Sequence, residues 1–142
     1  MLIDSIKKGI VIDHIRAGRA MTLLKYLNID IEHETVAVIM NAISKKFEKK
    51  DIIKIENHID IDMHIVGLID PEATVNIIEN HTITKKIKPE LPKRVENVII
   101  CKNPRCVTSA EKGIPHSFIL QDAKNQIYRC EYCDDMVSVR EY

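Results

Sequence analysis

The chain has 142 residues, 45% hydrophobic and 30% charged, with 21 Lys/Arg balanced against 21 Asp/Glu. That composition suits one ordinary globular domain or two small ones, and it excludes a disordered chain and a strongly basic polyphosphate binder. The opening "MLIDSIKKGIVIDHI" carries charges every few residues and no apolar run suited to a signal peptide or a spanning helix, so a cytoplasmic protein with reduced thiols is expected.

In chain order, "GIVIDHI" (9–15) reads as a strand, and "GRAMTLLKYLN" (18–28) as a helix with Met21, Leu24 and Leu27 at apolar spacing. "HETVAVIMNAI" (33–43) and "DIIKIEN" (51–57) are strands joined by charged turn material. "DIDMHIVGLID" (60–70) fits both periods; we assign a helix capped by Asp60 or Asp62 and stopped before Pro71. "ATVNIIEN" (73–80) and "HTITKKIK" (81–88) close as a hairpin. The order strand, helix, strand, strand, helix, strand, strand predicts an α+β fold: a ferredoxin-like antiparallel sheet with two helices on one face.

Pro89 and Pro92, among charged residues in "KIKPELPKRVEN", break both helix and ladder. They divide the chain into residues 1–92 and 93–142. In the second part "NVIIC", "HSFILQDA", "NQIYRC" and "MVSVREY" are short strand candidates, with a turn at "AKNQ". A part this small seldom holds itself together by its core alone.

All four cysteines lie there, in "CKNPRC" and "CEYC". A redox pair, a nucleic-acid-binding zinc module and a rigidifying clamp compete as explanations. A thioredoxin-like Cys-x-x-Cys opens a helix after a strand, which this one does not. Cys101, Cys106, Cys130 and Cys133 instead have the spacing of four thiolates around one structural Zn(II) per chain, with Lys102, Arg105 and Arg129 near to offset the charge. Residues 98–142 hold six basic and six acidic side chains and few aromatics, which disfavours nucleic acid and leaves a small all-β zinc-ribbon-like domain that docks protein.

No Gly-rich phosphate loop, Gly-x-Ser-x-Gly or His-Glu-x-x-His is present, so no catalytic constellation is assigned. His33, His58 and His116 read as surface residues in polar turns, His64 lies in the second helix, and His81 in the last hairpin turn. Only His14, beside Asp13 at the end of the first strand, stands where a ligand would be met.

Taken together, "VIDHI", "DIIKIEN", "EATVNIIEN", "LPKRVENVIIC", Cys-x-Asn-x-x-Cys and Cys-x-Tyr-Cys resemble the regulatory chain of aspartate carbamoyltransferase, in order and over essentially the whole length. The resemblance implies a non-catalytic subunit of pyrimidine biosynthesis. It would bind nucleotide effectors (CTP, ATP, possibly UTP) on a first, allosteric domain, and its dimers would join trimers of catalytic chains through a zinc domain. The runner-up reading is a small-ligand-sensing adaptor or a transcription-type zinc-ribbon protein.

Carried over by position, the resemblance implies Asp13 and His14 at ribose and phosphates, Lys54 at ribose and the pyrimidine carbonyl, and Lys86, or Lys85 beside it, at phosphate. Ser5, Ile6 and Val11 would line the base pocket, with backbone groups of Ile6 and of His81 to Ile83 at the base edge. Lys50 would lie near the triphosphate, Asn76 would border the pocket, and Asn103 and Tyr132 would meet the catalytic chain. The chain departs from the family pattern at Arg16, where a proline is common, and at His81, where a phenol is known.

Overall fold

Strand Gly9–Arg16 (β1) is the middle strand of the first sheet. Its register explains most of what surrounds it. The computed structural model describes residues 7–45, 48–57 and 60–141, and the chain divides into two units, Met1–Glu90 and Leu91–Tyr142. In the first, β1 is followed by helix α1 (Ala20–Leu27), strands β2 (Val36–Ser44) and β3 (Glu48–Glu56), helix α2 (Met63–Ile69), and strands β4 (Thr74–Glu79) and β5 (Thr82–Ile87). The sheet order is β2-β3-β1-β4-β5 with antiparallel neighbours throughout. This is the ferredoxin-like arrangement expected, with β5 added beyond β4.

One face of this sheet is closed by the helices. Ile10, Ile12, Ile15, Ile53, Ile55 and Val75 meet Leu23, Val66, Leu68 and Ile69 there, all at 0% exposure. Each such side chain is worth about 1.5–3 kcal/mol when buried. Ile12 and Ile15 are three residues apart, so plain alternation would send them to opposite faces. A bulge resolves this: the pairing passes from Ile12–Ile53 to Ile15–Asp51, and His14 takes a left-handed backbone with φ 58°. That conformation costs about 1–2 kcal/mol for a residue with a side chain, and the packing of Ile15 offsets it.

Two buried carboxylates brace the end of β1. Asp51 accepts from the N–H of Gly18 (3.0 Å), Ala20 (3.2 Å) and Asn41 (2.9 Å). It thereby caps α1, whose own N-cap residue Arg19 makes no side-chain capping bond. Asp70 accepts from Arg16 N–H at 2.6 Å and Glu72 N–H at 3.1 Å, while Arg19 Nη2 donates to the Ile69 carbonyl at 3.0 Å. Burial outweighs those bonds and raises the Asp70 carboxyl above its ordinary value. Helix α1 ends on Asn28 in the left-handed conformation, and α2 starts on Asp62, whose side chain accepts from His64 N–H at 2.9 Å. The carbonyl of Glu90 packs directly against Gly67, where no Cβ fits.

The second unit holds β6 (Arg94–Glu96), the single-turn helix α3 (Val107–Ala110), β7 (Ser117–Asp122), β8 (Ile127–Cys130) and β9 (Met136–Ser138), in the sheet order β6-β7-β8-β9. Ile99, Phe118, Tyr128 and Val139 form its small core, and Tyr128 donates its hydroxyl to the Pro92 carbonyl at 2.6 Å. "NVIIC" is not a strand. The strand precedes it at Arg94–Glu96, and residues 97–101 lead into the first cysteine with Ile99 turned into the core. Strand β2 runs on to Ser44, and β3 begins at Glu48, earlier than expected. No helix among the described residues is long and apolar enough to cross a membrane.

Candidate ligand face and metal centre

The four cysteines converge from two loops of the second unit. Cys101 and Cys106 flank a turn before α3. Cys130 ends β8, and Cys133 closes the turn that follows. Their sulfurs all lie within 4.8 Å of one another, with Cys101–Cys133 at 3.6 Å and Cys106–Cys130 at 3.8 Å. A disulfide needs about 2.05 Å, whereas thiolates about 2.3 Å from a tetrahedral zinc stand about 3.8 Å apart. The donor set therefore fits one Zn(II) with all four positions filled, a structural rather than a catalytic site.

The surroundings of the sulfurs differ. Cys130 is at 0% exposure, Cys106 at 1% and Cys101 at 7%, while Cys133 is partly exposed. Burial pushes the Cys101 thiol up to about 12. The Thr108 hydroxyl, donating to Cys106 Sγ at 3.0 Å, is the main cause that brings Cys106 down to about 7. His116 also supports the loop. Its Nδ1 accepts from Cys101 N–H at 3.1 Å, and the residue is half-buried, so it is not the surface histidine expected. Asn103 carries the first loop: its carbonyl accepts from Ser109 Oγ (2.8 Å) and Cys106 N–H (3.0 Å), and its Oδ1 from Arg105 N–H (3.0 Å). Tyr132, in the second loop, is 49% exposed.

In the first unit the sheet face away from the helices gathers the other candidates. Direct cross-strand partners share a face. The pairs Lys54–Val11, Val11–Asn76 and Asn76–Lys86 thus form one row across β3, β1, β4 and β5. Lys85 pairs with Ile77 and so belongs to the opposite face. Ile83 pairs with Ile78, which pairs with Gly9, one row along from Val11 on the same face.

Beyond that row, Lys50 Nζ lies 2.9 Å from the Asp13 carboxylate, their side chains 18% and 23% exposed. Partial burial works to raise the Asp13 carboxyl. The hydrogen bonds from Lys50 and from His14 N–H (2.7 Å) outweigh it, holding Asp13 below the usual carboxylate value and ionised at neutral pH. The bulge sets the His14 imidazole next to this pair, with Nδ1 3.9 Å from Asp13 Oδ2.

Asn76 is 9% exposed, and its Oδ1 has no hydrogen-bond partner among the described residues. A buried orphan acceptor of this kind costs about 1–3 kcal/mol. His81 has φ 63°, and its N–H donates to the Lys7 carbonyl at 2.9 Å, so that donor is already engaged. Ser5 and Ile6 lie outside the described residues, as does His58. His33 is exposed and bonded through Nδ1 to Asp30 at 2.7 Å, in an exposed acidic corner with Glu32.

Sequence reasoning missed four supporting residues: Asp51, Asp70, Thr108 and His116. Each acts through at least one bond to a residue distant in the chain or to a sulfur, and no local pattern reports such a bond. The one available signal was "KKDIIKIE", where Asp51 interrupts an apolar alternation at a position that must face inward.

A family model described as "aspartate carbamoyltransferase regulatory chain, allosteric domain" matches residues 1–90, and one described as its metal binding domain matches residues 93–142. The chain is similar to the aspartate carbamoyltransferase regulatory chain of Clostridium botulinum strain Hall, 56% identical over 138 residues, covering 97% of this chain and 94% of the relative. It is 54% identical to that of Clostridium tetani over 142 residues, 99% of each. It is 46% identical to that of Bifidobacterium longum over 135 residues, 95% of this chain and 97% of the relative. With an allosteric domain, a four-cysteine zinc domain and relatives matched at nearly full length, the chain belongs to the aspartate carbamoyltransferase regulatory chain family, a regulatory and non-catalytic subunit.

Proposed function

We propose that the chain binds nucleotide effectors on the helix-free face of its first unit and docks catalytic chains of aspartate carbamoyltransferase through its zinc unit. It would thereby tune a step of pyrimidine biosynthesis in the cytoplasm. The observation that carries the nucleotide reading is the row Lys54–Val11–Asn76–Lys86. Two ammonium groups without an ion-pair partner among the described residues flank a buried amide oxygen with no partner. A ligand that brings phosphate oxygens to the lysines and a donor to Asn76 relieves both.

In this reading Asp13 takes ribose hydroxyls, His14 and Lys86 take phosphate, and Lys54 takes ribose and a pyrimidine carbonyl. Lys50, held by Asp13, stands towards the triphosphate. Val11, Ile83 and the bare backbone at Gly9 form the apolar floor for the base. Backbone groups of His81 to Ile83 read the base edge, without the His81 N–H, which is spent on the Lys7 carbonyl.

Docking falls to the two cysteine loops, with Asn103 and Tyr132 as contacts. The polar, exposed Tyr132 beside a rigid metal knot suits a protein interface. A regulatory dimer suits the β2 edge. "VAVIMNAIS" has no charge and no proline to blunt it, and it exposes Met40 (46%) and Ile43 (92%), whereas the opposite edge, β5, carries Lys85 and Lys86. Calorimetric titration of CTP and ATP into the full chain, followed by size-exclusion of the chain with its catalytic trimer, tests the reading. Failure of CTP and ATP to bind, together with no larger complex, would defeat it.

A further inference from the structure

The metal cluster is not symmetric in access. Three of its sulfurs are enclosed, at 0%, 1% and 7% exposure, while Cys133 lies partly open in the turn after β8. Nor is it symmetric in hydrogen bonding. Cys106, besides being enclosed, accepts from the buried Thr108 hydroxyl at 3.0 Å. Four thiolates on one Zn(II) leave the cluster with net negative charge, so each bound sulfur keeps nucleophilic electron density. A donor on a sulfur draws that density off, and enclosure keeps a reagent away. Both protect Cys106, which alone of the three takes a side-chain hydroxyl; enclosure also protects Cys101 and Cys130, whose sulfurs accept from the backbone N–H of Asn103 and of Tyr132 and Cys133.

We propose that Cys133 is the modification site of the zinc cluster, the sulfur at which a soft electrophile attacks while zinc is still bound, and that Thr108 keeps Cys106 out of the same reaction. With an alkyl halide such as iodoacetamide, the Cys133 Sγ lone pair forms a bond to the methylene carbon and the carbon–iodine bond breaks. Iodide leaves with the bonding pair. The product is an uncharged thioether, a poor ligand for Zn(II), so zinc loses one of four anchors and the cluster opens from that corner. Because zinc binding is part of the folding free energy of so small a unit, one alkylation there releases the ion and loosens both loops.

The test uses the full-length chain after its zinc content has been verified as one ion per chain. Iodoacetamide is added below one equivalent, labelled cysteines are mapped by peptide mass spectrometry, and released zinc is followed with a chromogenic chelator. The expected result is label first and predominantly on Cys133, with zinc release tracking that label. Thr108→Val should speed labelling of Cys106 about tenfold, the scale on which partners of metal ligands act, and Thr108→Ser should restore protection. Label appearing on Cys101, Cys106 or Cys130 as fast as on Cys133, or no label at any of the four while zinc stays bound, would overturn the proposal. Should Thr108→Val fail to hold zinc, the labelling order in the unaltered chain decides. A chain that contains no zinc as prepared refutes the metal assignment instead, a distinct outcome.

Discussion

Lys86 lies directly opposite Asn76 across the β4–β5 ladder, while its neighbour Lys85 lies opposite Ile77. A period of two residues sends these adjacent lysines to opposite faces of the sheet. Only Lys86 shares the helix-free face with Val11 and Lys54. Register thus puts Lys86, and not Lys85, on the face proposed for nucleotide.

The first prediction is therefore a contrast. Lys86→Ala and Lys54→Ala should each weaken CTP or ATP binding by about 1.5–3 kcal/mol, the scale of a charge-assisted hydrogen bond. Lys85→Ala should leave it nearly unchanged. Isothermal calorimetry on the three variants measures this; equal losses at Lys85 and Lys86 would show that the face is wrongly assigned.

Asp13 and Asp70 should titrate on opposite sides of 3.8, Asp13 below and Asp70 above. For Asp13, with a depressed folded-state value, the paired carboxylate stabilises the fold above its unfolded value, and that contribution is lost as pH falls through the folded one. For Asp70 the sign reverses: the cost of burying its charge is present at neutral pH and is relieved as pH falls past its raised value. Carboxyl carbon NMR of the chain across the acid range reads both midpoints directly, and a shared midpoint would contradict the burial argument.

Gly67→Ala should destabilise the first unit by about 1–3 kcal/mol, the usual cost of overpacking. Its new Cβ would meet the Glu90 carbonyl, backbone that has little freedom to retreat. Thermal denaturation monitored by far-UV circular dichroism gives the comparison. Gly18→Ala tests a different cost, since a Cβ at Gly18 has nothing within 4 Å but its φ is +93°.

Chelating zinc, or replacing Cys130 with Ser, should unfold residues from about 98 onward while the first unit keeps its helices and sheet. Proton–nitrogen NMR spectra would show the signals of β7 to β9 collapsing and those of β1 to β5 persisting. Collapse of both sets together would mean that the metal holds more than the unit that ligates it.

The elements of the first unit were legible because each is a short periodic run. The alternation in "GIVIDHI" and the apolar stripe of α1 are local properties, and the sheet order follows from their sequence. The metal site was legible for a similar reason, since four cysteines in two knots leave few geometries. What stayed hidden depends on distant partners. The bulge at Asp13–His14 exists because Ile12 and Ile15 must both face the helices, a demand set by β3 and invisible in β1 alone. Helix α3 forms around Thr108 and Cys106, where the metal loop rather than propensity fixes the backbone. His116 read as a turn residue because its role, accepting from Cys101 N–H, lies fifteen residues away.

The central claim is that this chain confers nucleotide control on a catalytic trimer. The most direct measurement is carbamoyltransferase activity of the cognate trimer, with and without the zinc-loaded chain, as CTP and ATP are titrated. The account predicts no turnover by the chain alone, no nucleotide response by the trimer alone, and a nucleotide-dependent change in activity only when both are present. A mixture whose activity ignores both nucleotides, even though the chain is bound to the trimer, would contradict it.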